Sequence, residues 1–151
     1  MKNGAEHTLL IVEDDANDRF LIERAFRHAQ IANPIQMATD GDEAIAYLSG
    51  EGRFADRKAH PLPILVLLDL KLPRRSGIEV LSWIRANPKV AALPVVVLTS
   101  SPEGVDVRRA YEAGANSYLV KPVAFEGLHR MIESLGLFWL VLSRLPEVGP
   151  R

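Results

Sequence analysis

Ile64-Leu65-Val66-Leu67-Leu68-Asp69-Leu70-Lys71-Leu72-Pro73 is the most constrained run in this sequence. Its unbroken aliphatic opening reads as a strand buried on both faces, as the central strands of parallel sheets are. A bare carboxylate follows, and Pro73 then ends any strand pairing and sets a turn. Asp69 is thereby delivered to the carboxyl end of a central strand. In open α/β sheets ligands bind at that edge. Asp69 is therefore a candidate functional carboxylate, a loop cap being the alternative.

Working outward, short apolar runs alternate with helical patterns. Residues 8–12 read as a first strand ending in Glu13-Asp14-Asp15. Residues 17–29 read as a helix with Phe20, Leu21, Ala25 and Ala29 inward, and Asp14 or Asp15 at its N-cap. Residues 35–38 form a weaker strand, and 42–49 a short helix with Ala44, Ile45 and Leu48 inward. Residues 50–63 are polar, carry prolines and glycines, and read as a surface loop. After the central strand, residues 77–87 form a helix with Ile78, Leu81 and Ile84 on one stripe. Residues 94–99 form another apolar strand ending at Thr99, and 103–113 a helix closed by Gly114. Residues 116–120 form the last strand, followed by Lys121-Pro122. The final helix starts near Phe125, with apolar positions Leu128, Ile132, Leu135, Trp139 and Leu142.

This alternation predicts an α/β fold: a doubly wound, five-stranded parallel sheet with helices on both faces. The expected flavodoxin-like strand order is 2-1-3-4-5. One domain spans residues 1–151, with its core at about 8–135 and an extended helix and apolar tail at 136–145.

Composition narrows the function. Hydrophobic residues make up 48% and charged residues 25%, a globular balance. Net charge is −1, which offers no electrostatic case for nucleic acid or an anionic membrane as partner. There is no cysteine, hence no thiol chemistry. The start of the chain lacks a signal-peptide core, and no apolar run reaches the roughly 20 residues that span a bilayer. A cytoplasmic location is expected.

In the 2-1-3-4-5 order the first and third strands are neighbours at the switch point. Glu13, Asp14 and Asp69 then cluster, with Thr99 and Lys121 beside them. Clustered carboxylates repel unless one is protonated or a cation intervenes. Oxygen-only ligands point to Mg²⁺, which keeps several waters and leaves room for a phosphoryl group. Lys121 and Thr99 could hold phosphoryl oxygens, and Asp69 is placed as a nucleophile toward phosphorus.

Val12-Glu13-Asp14, Leu68-Asp69-Leu70-Lys71-Leu72-Pro73, Leu98-Thr99-Ser100, Gly114-Ala115, Tyr118 and Lys121-Pro122 together resemble the response-regulator (CheY-like) receiver domains of two-component signalling. The resemblance covers about residues 9–135. It implies that Asp69 accepts a phosphoryl group from a histidine kinase. It implies that Asp14 binds Mg²⁺ directly, Glu13 through water, and Lys71 through its backbone carbonyl. Thr99 and Tyr118 would be the switch pair, and Lys121 would contact the phosphoryl group through a cis peptide to Pro122. Asp15 is read as N-cap, not ligand.

About a dozen residues follow the expected domain end, too few for a helix-turn-helix, so output by protein contact is expected rather than transcriptional control. The run Leu137-Phe138-Trp139-Leu140-Val141-Leu142 points all round a helix and cannot be buried by one domain face. A homodimer through the final helix, with Phe138, Trp139 and Leu142 at the contact, is the expected use, folding of the helix end back onto its own domain being the alternative. This tail, the 50–63 loop and residues 113–119 resemble the single-domain response regulators of bacterial and cyanobacterial phytochrome kinases, which implies a bacteriophytochrome-like phosphodonor. A haloacid-dehalogenase-type phosphatase would want an acid where Lys71 stands, and a flavodoxin-type carrier would not place three acids after its first strand. A phosphorylation-independent binding module is the remaining alternative.

Overall fold

The apolar runs form one five-stranded parallel sheet in a computed structural model that describes residues 7–142, with side chains as far as Trp139. Its strands are β1 (Leu9–Val12), β2 (Ile35–Ala38), β3 (Leu65–Leu68), β4 (Val95–Thr99) and β5 (Ser117–Val120), in the order β2-β1-β3-β4-β5. The helices are α1 (Ala16–His28), α2 (Gly41–Ser49), α3 (Gly77–Ala86), α4 (Gly104–Glu112) and α5 (Phe125–Leu135). The expected CheY-like topology is the one observed.

Successive strand residues point to opposite faces, and the core divides accordingly. Leu10, Val12, Val66, Leu68, Val95 and Val97 pack against α2, α3 and α4. Leu9, Ile11, Leu65, Leu67, Val96 and Leu98 pack against α1 and α5. Every residue of β1, β3 and β4 is buried, which is why these segments read as continuous apolar runs rather than as alternation.

Local chemistry sets the helix starts. Asp15 caps α1 by accepting from the Asp18 amide, as expected. Ser76 and Glu79 form a capping box at α3. Gly114 follows α4 at φ 108°, a left-handed backbone that disfavours side chains.

The face of α1 differs from the expectation. Ile22, Ala25 and Phe26 are its buried residues, whereas Phe20 is 62% exposed. The helix is rotated so that the larger set at spacing three and four meets Leu9 and Ile11. In α2 the buried face includes Tyr47, whose hydroxyl donates to the Pro61 carbonyl at 2.7 Å and so ties the 50–63 loop to the helix.

Beyond α5 the chain continues helically as a wider π turn, Gly136–Leu142. Trp139 folds back against the α1/α5 side of the core. Leu137 and Phe138 are more than half exposed, at 55% and 56%. The side chain of Leu142 lies outside the described residues, as do residues 1–6 and 143–151. Among the described residues no helix is long and apolar enough to cross a membrane.

Candidate functional site

Strand register brings the candidate residues to one edge. Val12 pairs with Leu68, and the ladder runs on as the Asp69 amide donates to the Val12 carbonyl at 3.1 Å. Glu13 is held likewise by Ala38, at 3.0 Å. Across the sheet Thr99 pairs with Val120, and the Lys121 amide donates to the Thr99 carbonyl at 2.7 Å. Glu13, Asp14, Asp69, Thr99 and Lys121 thus leave the carboxyl ends of β1, β3, β4 and β5.

Glu13, Asp14 and Asp69 each place one carboxylate oxygen within 4.8 Å of the others. Glu13 is 2% exposed and Asp69 7%, while Asp14 faces solvent. The Lys121 ammonium donates to Glu13, to Asp18 Oδ2 at 2.9 Å and to Asp69 Oδ2 at 3.0 Å. An ammonium has three N–H donors, so this set uses them all.

The electrostatics follow from burial and proximity. Burial, opposed by the hydrogen bond from Lys121 and helped by the charge of Asp69, raises the Glu13 carboxyl to about 7. Burial acts to lower the Lys121 ammonium, but hydrogen bonds to Glu13 and Asp18 and the charges of Asp69 and Glu13 outweigh it, so the net direction is upward. The lysine stays charged, and the carboxylates remain in excess over it.

That excess tests the fit of a divalent cation. Hard oxygen donors, one of them exposed, suit Mg²⁺ or Mn²⁺. Thr99 supplies a second sign of a missing partner. It is fully buried, and its Oγ1 has no hydrogen-bond partner. A buried hydroxyl left unpaired costs about 1–3 kcal/mol.

Lys71 has its side chain in solvent, and its amide approaches Asp69 Oδ1 at 3.4 Å, so its peptide follows directly in the turn beneath the carboxylate. Gly77 makes that turn possible, since a Cβ there would overlap the Asp69 carbonyl oxygen. Tyr118 is partly buried against the core, and its hydroxyl donates to the Ser101 carbonyl at 2.7 Å. Burial raises its phenol above the ordinary value. The Lys121–Pro122 peptide corrects an expectation. All peptide bonds among the described residues are trans, so the cis isomer is absent. Trans is the intrinsically favoured form even before proline, and Lys121 reaches all its carboxylates from it. Phe138 and Trp139 lie away from this cluster, beside a hollow of about 310 Å³ that also touches Leu119, Met131 and Leu135.

Two site residues escaped sequence reasoning. Arg19 donates to the backbone carbonyls of Glu13 at 2.9 Å and Asp14 at 2.8 Å, which fixes the acidic turn. Asp18 reads in sequence as an ordinary first-turn acid, and its partner lies 103 residues away. A second hollow, about 260 Å³, opens beside Lys121 and is lined by Asn17, Asp18, Leu21, Ser100 and Val123 among others.

The response regulator receiver domain family matches residues 9–133. The chain is 43% identical to the probable methanogenesis regulatory protein FilR2 of Methanothrix harundinacea, over 94% of this chain and 88% of that one. It is 37% identical to the response regulator Rcp1 of Synechocystis, over 91% and 92%. The Mn²⁺-bound structure of Rcp1 superposes with a TM-score of 0.84 at 36% identity, covering 93% and 99% of the two chains. The phosphorylated cyanobacterial phytochrome response regulator RcpA superposes with a TM-score of 0.87 at 34% identity, covering 94% and 99%.

Proposed function

Since the chain belongs to the response-regulator receiver domain family, we propose that it works as one receiver unit in which Asp69 accepts a phosphoryl group from a histidine kinase. The observation that carries this reading is the meeting of Glu13, Asp14 and Asp69 with the Lys121 ammonium beside the unpartnered Thr99 hydroxyl.

In the proposed step an Asp69 oxygen attacks phosphorus, the phosphorus–nitrogen bond to the donor imidazole breaks, and the imidazole leaves. Glu13, Asp14 and Asp69, with the Lys71 carbonyl, would hold Mg²⁺, which when bound neutralises charge on the transferring group. Lys121 turns a donor to a phosphoryl oxygen. Thr99 donates its free hydroxyl to another, and Tyr118 follows in the space behind it. The new bonds exist only in the phosphorylated state, so they shift the population of the surface formed by α4, β5 and α5. Gain and loss of the phosphoryl group are self-catalysed, and the output is a changed protein contact rather than turnover of a substrate.

The likeness to RcpA, a phytochrome response regulator, supports a phytochrome-type kinase as donor. The likeness to FilR2, at 43% identity, supports a second reading, a kinase answering a metabolic stimulus. Phosphotransfer rates from purified kinases of both kinds would separate them. The exposed Leu137 and Phe138 support pairing of two copies through the end of α5.

Intact mass after incubation with acetyl phosphate and Mg²⁺ tests the central claim. One phosphoryl group should be gained, and Asp69→Asn or EDTA should prevent it. A folded protein that gains nothing would instead support the phosphorylation-independent binding module.

A further inference from the structure

Lys121 is shared among three acids. Its side chain is 12% exposed, and its donors go to Glu13, Asp18 and Asp69. Glu13 and Asp69 also belong to the group able to hold a cation; Asp18 does not. A divalent ion on those carboxylates would take up their lone pairs and repel the ammonium. A lysine this enclosed cannot simply lose its acceptors, because a buried unpaired charge is strongly disfavoured.

Asp18 is placed to receive it. It leaves the first turn of α1, its side chain is 37% exposed, and it already accepts from Nζ at 2.9 Å. Both Asp18 and Lys121 line the 260 Å³ hollow between α1 and the segment after β5, which gives the ammonium room to swing outward without leaving its partner. We propose that Asp18 is a positioning residue that holds the Lys121 ammonium while the divalent cation occupies Glu13 and Asp69. The lysine then gives up two carboxylates and keeps one. This inference rests on the metal-site reading of the cluster.

Removing Asp18 should weaken cation binding for two reasons. One is the loss of a nearby negative charge, which any acid of that turn would share. The other is specific: without Asp18, Lys121 stays on Glu13 and Asp69 and competes with the ion. Asp15→Asn isolates the first effect, since it removes a charge from the same turn and keeps an N-capping side chain. A Lys121→Met background, or Lys121→Gln where Met does not fold, removes the second.

Mn²⁺ affinity of the unphosphorylated chain, read by titration calorimetry or water-proton relaxation, is the test. Asp18→Asn should weaken Mn²⁺ at least about twofold more than Asp15→Asn, the lower end of coupling between contacting side chains. The excess should vanish once Lys121 is replaced. Equal losses from Asp18→Asn and Asp15→Asn would overturn the proposal, as would an excess that survives without Lys121. An unsubstituted chain that binds no Mn²⁺ would remove the metal-site reading and this proposal with it.

Discussion

Glu13 should make the metal-free protein lose stability as pH rises, and Glu13→Gln should abolish that dependence. Burial holds the folded-state carboxyl at about 7, against 4.5 for the unperturbed group, with Asp69 pushing it the same way and Lys121 opposing. A folded-state value above the unfolded one means that the native state binds the proton more tightly. The contribution is therefore fully present below 4.5 and is lost as pH rises through 7. A tenfold change in proton affinity is worth about 1.4 kcal/mol, so proton linkage predicts a loss of about 2–3 kcal/mol between pH 5 and pH 8. Glutamine has no proton to lose. Urea unfolding of both proteins in EDTA at the two pH values reads the contribution of Glu13 and its coupled neighbours, because titrating groups that do not interact with Glu13 cancel in the difference. Mg²⁺ at pH 8 should restore much of the wild-type loss by favouring the ionised carboxylate. A difference between the two proteins that stays constant with pH would refute the reasoning.

Ser76→Ala removes one half of the α3 capping box and should cost about 1 kcal/mol in urea unfolding. Gly77→Ala drives a Cβ into the Asp69 carbonyl, so it should destabilise by about 1–3 kcal/mol and slow Asp69 phosphorylation in an acetyl phosphate time course. Arg85→Ala strips donors from the carbonyls of Gly114, Ala91 and Leu93 and should cost about 2 kcal/mol or more, read as a lowered urea midpoint at unchanged slope. Phe138→Asp should give a monomer in light scattering under conditions where the parent chain is a dimer, with an unchanged circular dichroism spectrum.

The sheet and most of the cation cluster were legible in sequence for the same reason. A strand buried on both faces must be aliphatic throughout, so Leu65–Leu68 and Val95–Thr99 announce themselves, and the polar residue that ends each run marks the sheet edge. Connectivity then fixes which ends are neighbours. Helix faces were less legible, because α1 is apolar on more than one side. Phe20 and Phe26 compete as anchors, and only contact with Leu9 and Ile11 decides for Phe26. The partners of Asp18 and Arg19 were not legible at all. Nothing near Asp18 in the chain speaks of Lys121, and an arginine such as Arg19 that binds backbone carbonyls carries no pattern of its own. The Lys121–Pro122 bond shows the opposite failure, where a dipeptide permits an isomer that the structure does not adopt.

The two halves of the proposed switch are unequal in what they can contribute. Tyr118 already donates its hydroxyl to Ser101, and Ser101 in turn donates to Asp106 Oδ2 at 2.5 Å. Its hydrogen bonding is complete without a phosphoryl group, so its part in a transition is to fill space. Thr99 is the reverse. Its buried hydroxyl has nothing to bond, and a phosphoryl oxygen would recover about 1–3 kcal/mol. Each 1.4 kcal/mol is tenfold in an equilibrium, so Thr99 alone could move the population by about one to two orders of magnitude. Full conversion from one state to the other needs about 5.5 kcal/mol, and in the proposed switch the balance would come from Lys121 and the bound cation. Thr99→Val keeps the shape and removes the hydroxyl. It should therefore weaken the phosphorylation-dependent change in the α4–β5–α5 surface, followed by hydrogen exchange, while leaving the gain of mass at Asp69 in place. Loss of phosphorylation itself in that variant would mean that Thr99 serves the transfer step and not the switch.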